Sequence, residues 1–150
     1  MGGLRAGELP CTGRRRPSSR VVADSHALVW FTRGSSKLST TAAEALRAAE
    51  ASEGVVVSVA TLIDLWYVAQ TTQGVSVTEL ADLRRLVGGT SAVSFYPVDT
   101  QVADACTGIS RDLLRDPWDR LIVATALSLH LPLVTRDGPI RHSGLVETVW

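Results

Sequence analysis

A short apolar segment that ends in a single acid constrains the fold of this chain most. Val21, Val22 and Ala23 lead directly to Asp24, and a new apolar periodicity begins after it. This pattern is typical of a buried parallel strand, which in an open α/β sheet ends at the edge where ligands bind. Asp24 is therefore the first candidate functional residue, although an acid in this place also serves as the N-cap of a following helix.

Further apolar strands alternate with helical patterns along the rest of the chain. The predicted strands after the first are 55–59, 93–98, 131–135 and a short one within 145–149. Because helices separate them, the strands should pair in parallel, with helices covering both faces. The sequence therefore predicts a three-layer α/β/α domain with a mainly parallel central sheet.

Capping signals and apolar stripes place the helices. Thr41 and Glu44 have capping-box spacing at the start of one helix, and Thr100 is a candidate cap for another. The stripes predict buried positions for Trp66 and Leu113. Asp116 is a natural N-cap for the apolar helix that follows, in which Pro117 fits the first position. Gly138-Pro139 is interpreted as a turn, and two further patterns predict helices at 26–32 and before Gly88-Gly89.

Composition indicates one globular domain in a reducing compartment. The chain has 150 residues, of which 45% are hydrophobic, so its core needs neither metals nor disulfides. Its two cysteines, Cys11 and Cys106, suggest neither a disulfide framework nor a zinc site. No apolar run approaches the roughly 18 residues of a membrane span, and the N-terminus lacks the apolar segment of a secretory signal. We expect a soluble, cytoplasmic protein.

The first residues differ from the remainder in composition. Residues 1–19 are rich in Gly, Arg, Pro and Ser, without periodicity, and are predicted to be a disordered basic leader. The run at 14–16 either touches RNA phosphates or is simply solvated. The domain is predicted to span 20–150, and residues 21–150 carry ten basic and fourteen acidic residues, a net charge of −4.

Four acids occupy comparable places in the predicted fold. Asp24 and Asp137 each follow a buried strand, while Asp64 and Asp119 lie near the starts of helices that leave the sheet. In a parallel sheet these places share one edge, so the four carboxylates can converge. Clustered carboxylates repel one another unless a cation lies among them, and oxygen ligands without His or Cys select Mg²⁺ or Mn²⁺ over zinc. Such a site typically hydrolyses phosphodiesters.

The sequence at this point resembles PIN-domain ribonucleases of the VapC toxin type. The resemblance covers essentially all of 21–150, and the Asp-Pro-x-Asp-Arg element in this order after the Asp-x-His opening is quite specific. The matching stretches are 23–30, 37–39, 57–66, 115–126 and 133–137. It implies a metal-dependent endoribonuclease that acts as the toxin of a toxin–antitoxin pair, with RNA as substrate and an antitoxin and a second copy of the chain as partners.

Carried over residue by residue, the resemblance assigns the site. The metal-binding acids of the family match Asp24, Asp64, Asp119 and Asp137, Thr135 matches a polar neighbour, and Asp116 matches an accessory acid. The family usually has Glu where Asp64 stands and Thr where Ser25 stands, and its leader is shorter. The shorter Asp64 side chain leaves a rival interpretation open, in which a degenerate PIN fold serves as a non-catalytic protein- or RNA-binding module.

Structural interpretations accompany several of these assignments. Capping explains Asp116 fully, the helix dipole offers an alternative for Asp119, and Asp64 also fits an ordinary exposed helix acid. Arg120 and Arg136 flank site acids, and each either holds substrate phosphate or pairs with those acids. His26 receives no catalytic role. Three tryptophans are assigned to core or interface rather than to base stacking: Trp30, Trp66 and Trp118.

Overall fold

The central feature of the fold is a five-stranded sheet in which every strand pair is parallel. The computed structural model describes residues 19–71 and 74–150, and the strand order within them is β3-β2-β1-β4-β5. The predicted α/β class with a parallel sheet is confirmed. The strands are β1 (Val21–Ala23), β2 (Val55–Ser58), β3 (Val93–Tyr96), β4 (Leu133–Val134) and β5 (Thr148–Val149).

Helices cover both faces of this sheet. They are α1 (Ser25–Thr32), α2 (Thr40–Glu50), α3 (Val59–Thr71), α4 (Val77–Gly88), α5 (Thr100–Thr107), α6 (Pro117–Leu129) and α7 (Gly138–Ser143). Successive strand residues face opposite sides. Val21 and Ala23 therefore pack in one core with α1, α2 and α4, while Val22 packs in a second core with α5, α6 and α7. The predicted three-layer arrangement is confirmed.

The strand order places a crevice beside β1. The chain moves outward from β1 to β2 and β3, then crosses over so that β4 lies on the other side of β1. Adjacent loops diverge at such a switch point, which opens a ligand-binding crevice at the carboxyl ends of the two strands. Asp24 follows β1 directly, and Thr135, Arg136 and Asp137 follow β4. The fold alone therefore brings these two segments together.

Two predicted helix caps are displaced toward the N-terminus. Ser39, not Thr41, caps α2, because its hydroxyl already accepts the hydrogen bond of the Ala42 N–H at 3.1 Å. Asp99, not Thr100, caps α5 and accepts from the Val102 N–H at 2.9 Å. In both cases a good capping side chain stands earlier in the chain than the predicted one, and it satisfies the free N–H first.

Two predicted buried positions are exposed. Trp66 is 46% exposed although it lies one residue after the fully buried Leu65. Leu113 is 44% exposed, because α5 ends at Thr107 and the following turns bury Leu114 instead. The predicted leader 1–19 lies outside the described residues except for Ser19, whose hydroxyl is 2.5 Å from that of Ser52. Among residues 19–71 and 74–150, no helix is long and apolar enough to cross a membrane.

Candidate active site

A cavity of about 550 Å³ opens at the carboxyl edge of the sheet, and its lining is rich in acids. All four acids that the sequence predicted to converge line this one cavity, together with Asp116. The remaining lining residues are partly apolar and partly basic or polar. The full lining is Asp24, Ser25, His26, Trp30, Asp64, Val68, Asp116, Asp119, Ile122, Arg136 and Asp137. Thr135 and Arg120, the other two predicted site residues, do not line it.

Asp24 is a buried carboxylate whose two oxygens have different partners. One oxygen accepts the N–H of Ala27 at 3.0 Å and caps α1, and the other accepts the hydroxyl of Thr135. Burial raises the pKa of Asp24 above its ordinary value, and the two hydrogen bonds partly oppose that rise. The capping interpretation of Asp24 is therefore correct and does not exclude a place at the cavity.

Thr135 links the two strands that border the crevice. Its side chain is fully buried, its hydroxyl donates to Asp24, and the hydroxyl oxygen accepts the Asp137 N–H at 3.0 Å. Asp137 in turn caps α7 by accepting the Ile140 N–H at 2.9 Å. Gly138-Pro139 therefore opens a short helix rather than forming the predicted turn, because an Asp followed by Pro near the first helical position is also a helix-start signal.

Asp116 and Asp119 lie at the start of α6. Asp116 accepts the N–H groups of Trp118 at 2.8 Å and Asp119 at 3.4 Å, so its predicted role as the N-cap before Pro117 is confirmed. The pKa of Asp119 is raised to about 7, first by burial and then by the negative charges of the other acids around the cavity: Asp116, Asp137, Asp64 and Asp24. At neutral pH this carboxyl group is therefore protonated far more often than an ordinary aspartic acid.

Asp64 reaches the same cavity from α3. Its side chain is half-buried, and Val68, one helical turn further on, also lines the cavity. Asp64 is one of the charges that raise the pKa of Asp119. It therefore differs from an ordinary exposed helix acid, although its role in binding stays a prediction.

Three buried polar atoms of the described residues lack hydrogen-bond partners. They are Ser25 Oγ, Thr61 Oγ1 and Arg120 Nε. Ser25 also lines the cavity, so its hydroxyl is a further polar group at this site. Arg120 forms no part of the cavity lining and takes part neither in the ion pair of Arg33 with Glu79 nor in that of Arg85 with Asp82.

Aromatic and basic side chains line the cavity beside the acids. Trp30 contacts His26 at 5.6 Å and Trp150 at 5.8 Å between ring centres, and the Arg136 guanidinium lies 5.8 Å from the Trp30 ring centre. Sequence reasoning assigned Trp30 to core or interface and gave His26 no catalytic role. Their spacing of four residues on one helix signals a shared face. Trp150 lies too far along the chain for any local pattern to reveal the contact.

The donor set suits a hard divalent cation. Carboxylate oxygens dominate the polar lining, and oxygen-rich sites select Mg²⁺ or Mn²⁺. The repulsion by the neighbouring acids, which adds to burial in raising the pKa of Asp119, is the kind of charge excess that a cation relieves. Within the described part of the chain, however, no three His, Cys, Asp or Glu side chains are arranged so that they could hold a metal ion. The carboxylates surround an open cavity rather than a closed shell.

Comparison with known proteins identifies the family. The family profile of the PIN domain matches residues 21–143, most of the chain. The chain belongs to the PIN-domain family. Among its PIN relatives is Ribonuclease VapC22 of Mycobacterium tuberculosis, 29% identical over 121 residues that cover 81% of this chain and 89% of the relative. The resemblance predicted from the sequence is confirmed.

Solved structures share the PIN fold at low sequence identity. VapBC2 from Rickettsia felis, bound to a DNA fragment from its promoter, matches with a TM-score of 0.60 and 13% identity, over 86% of this chain and 96% of that one. VapBC-5, of a toxin–antitoxin system of Mycobacterium tuberculosis, matches with a TM-score of 0.55 and 20% identity, over 87% and 97%. These similarities confirm the fold.

Proposed function

We propose that this PIN domain is a Mg²⁺- or Mn²⁺-dependent endoribonuclease, the toxin of a type II toxin–antitoxin pair. The observation that carries the proposal is the set of five acids that line one cavity, where burial and then the charges of the neighbouring acids raise the pKa of Asp119 to about 7. A structural role for each acid as a separate helix cap would not require all five to line one cavity. The name of the relative Ribonuclease VapC22 supports the same activity.

The proposal gives each acid a role. Asp24, Asp119 and Asp137 would hold the metal through carboxylate oxygens, and Asp64, one methylene shorter than the usual Glu, would hold it through a water. Thr135 orients Asp24, and Asp116 fixes the start of α6 and thus the position of Asp119. A divalent ion supplies an acidified water and neutralises charge during phosphodiester hydrolysis. Arg120 is assigned an accessory role beside Asp119.

We infer that a protein antitoxin and a second copy of the chain are partners. Solved structures with this fold include VapBC toxin–antitoxin complexes. The helices α3 and α4 expose apolar side chains that a partner can bury: Ile63 at 42%, Trp66 at 46%, Tyr67 at 49% and Val77 at 56%. Light scattering should give a dimer mass for the protein alone, and Trp66→Glu should reduce it if this surface holds the second copy. We propose that the protein acts on this RNA in the cytoplasm.

Total cellular RNA provides the first test. The purified protein should cut it at defined positions with Mg²⁺ or Mn²⁺ and not with chelator, and mapping of the cut ends would give the sequence preference. Asp119→Asn is the control for a contaminating nuclease, because it removes a site carboxylate while it keeps the side chain nearly the same size. Cleavage that persists in this variant, or in chelator, would contradict the proposal.

A second candidate function rests on Asp64. If its shorter side chain leaves the metal site incomplete, the domain is a binding module that holds RNA or protein without cleavage. The open arrangement of the acids, in which no three described metal-binding side chains could hold an ion, favours this alternative. RNA that is bound but never cut, at any concentration of Mg²⁺ or Mn²⁺, would establish it.

A further inference from the structure

Arg136 lies among the site acids without pairing with them. Its side chain is exposed, lines the cavity, and stands between Thr135 and Asp137 in the sequence. No ion pair found within the described residues includes Arg136. Its guanidinium instead lies over Trp30, 5.8 Å from the ring centre. Of the two roles that the sequence left open for Arg136, pairing with a site acid is therefore not the one observed.

The Trp30 ring is itself held in place. His26 contacts it at 5.6 Å with the ring planes at 45°, and Trp150 contacts it at 5.8 Å with the planes at 58°. Trp30 is also partly buried against the core that contains α1. A ring fixed from several sides offers the Arg136 guanidinium one defined face, because the π-electrons attract the cation most strongly above the ring.

We propose that Arg136 binds a phosphate of the RNA strand at the cavity and that Trp30 is the positioning residue that holds its guanidinium away from the acids. This inference rests on the proposed function, which supplies RNA as the substrate. A strand of phosphates is repelled by the five carboxylates of the lining, so a cation at the cavity favours its entry. The planar fork of a guanidinium matches the oxygens of a phosphate group.

The charge of the cavity favours RNA over a protein segment as the ligand of Arg136. A peptide attracted by the acids would be basic, and Arg136 would repel it. An RNA strand that arrives with divalent cations needs both features, acids for the metal and a cation for the phosphate. Binding of an acidic peptide through Arg136 is the competing outcome, for which poly-glutamate is a suitable probe.

The test measures binding of a short, labelled single-stranded RNA by fluorescence anisotropy in chelator, with cleavage in Mg²⁺ measured separately. Arg136→Gln should weaken binding by about ten-fold or more, the effect of one lost hydrogen bond to a charged group. The slope of log affinity against log salt should fall by about 0.7, the value for one single-strand phosphate contact. In cleavage, KM should rise while kcat changes little.

Arg47→Gln is the matched control. Arg47 is exposed in the last turn of α2, which leads into the start of β2 and thus lies at the opposite edge of the sheet from the cavity. The same charge is removed, so its RNA affinity and salt slope should equal those of the parent. An equal loss in both variants would show only a general charge effect and would overturn the assignment of Arg136.

A double-mutant cycle tests the role of Trp30. Trp30→Leu should weaken RNA binding in the parent and have little further effect in Arg136→Gln, whereas Trp30→Phe, which keeps an aromatic face, should retain most of the affinity. Melting temperatures of all variants separate this coupling from loss of the fold. If the effects of Trp30→Leu and Arg136→Gln simply add, Trp30 does not act through Arg136.

The outcomes separate this inference from the proposed function. If the parent cleaves RNA and Arg136→Gln has the same affinity and KM, the nuclease activity is supported and the phosphate contact of Arg136 is rejected. A parent that binds RNA through Arg136 and never cuts would retain the contact and reject the nuclease. A parent that neither binds nor cuts RNA rejects both. Loss of poly-glutamate binding alone in Arg136→Gln would make this surface a protein contact instead.

Discussion

The hydroxyl of Thr135 donates a hydrogen bond to the carboxylate of Asp24, from the end of β4 to the end of β1, and the two residues are 111 positions apart in the sequence. The same hydroxyl accepts the N–H of Asp137 at 3.0 Å. A single buried side chain thus connects two acids of the cavity. The orientation of Asp24 depends on it.

Thr135→Val should destabilise the protein by about 1–3 kcal/mol, the usual effect of leaving buried polar partners unsatisfied. Because the lost hydrogen bond lowers the pKa of Asp24, that pKa should rise further in the variant. Denaturant unfolding of the metal-free protein gives the change in stability. Thr135→Ser, which keeps the hydroxyl, is the control, and an equal loss in both variants would indicate a packing effect of the methyl group.

Asp24→Asn and Asp137→Asn should abolish cleavage and leave the free energy of unfolding unchanged or higher. Asn caps helices about as well as Asp, and each change removes one like charge from the cavity. Asp99→Asn is the matched control, because Asp99 caps α5 and does not line the cavity. It should cleave RNA like the parent. Cleavage in both site variants would show that the active site lies elsewhere.

The raised pKa of Asp119 predicts a pH dependence of stability without metal. Because this pKa is about 7 in the folded protein, against an ordinary value of 3.8 for the unfolded chain, the folded protein binds more protons between these values. The contribution of Asp119 to stability is therefore complete below about pH 4 and is lost as the pH rises through about 7. Asp119→Asn should reduce this dependence, and Asp24, whose pKa is also raised, should maintain part of it. Unfolding in chelator across this range checks the slope, and a slope that is unchanged in Asp119→Asn would show that Asp119 is ionised throughout.

The short side chain of Asp64 predicts opposite effects of two substitutions. An Asp reaches roughly 1–1.5 Å less far than Glu, and bonds to a hard cation of about 2.1 Å tolerate little stretch. Asp64→Glu should therefore keep or improve cleavage, while Asp64→Ala should weaken metal binding. Titration of Mn²⁺ against activity compares the three proteins. If Asp64→Ala behaves like the parent, Asp64 is an ordinary helix acid. If Asp64→Glu is inactive, the cavity is built around the shorter side chain.

Local patterns were sufficient where one segment determines its own structure. The run from Val21 to Asp24 indicated the first strand and its acid, and Asp116-Pro117 indicated the start of α6. Local patterns were insufficient where tertiary contacts determine which of two neighbouring apolar residues is buried. Trp66 shows this, since the apolar periodicity of α3 predicts it to be buried, whereas it is 46% exposed in the described part of the chain.

The positions of the candidate site acids were predictable because the edge of a parallel sheet gathers strand ends and helix starts. Their electrostatics were not predictable, since the pKa of Asp119 depends on burial and on charges from four different segments. The contact of Trp30 with Trp150, and the place of Arg136 over Trp30, likewise depend on how distant segments pack. The sequences immediately around Trp30, Trp150 and Arg136 do not indicate these two contacts.

The pairing of β4 beside β1 also determines when the cavity can exist during synthesis. β1 and β2 can pair as soon as residue 58 has left the ribosome, but Asp137 and the Thr135 hydroxyl reach Asp24 only after residues 133–137 have been added and have closed this long loop. Closure of such a distant contact is slow compared with local folding. A nascent chain whose residues 133–137 have not yet joined the sheet therefore lacks a complete set of acids, even when β1 and β2 are already paired.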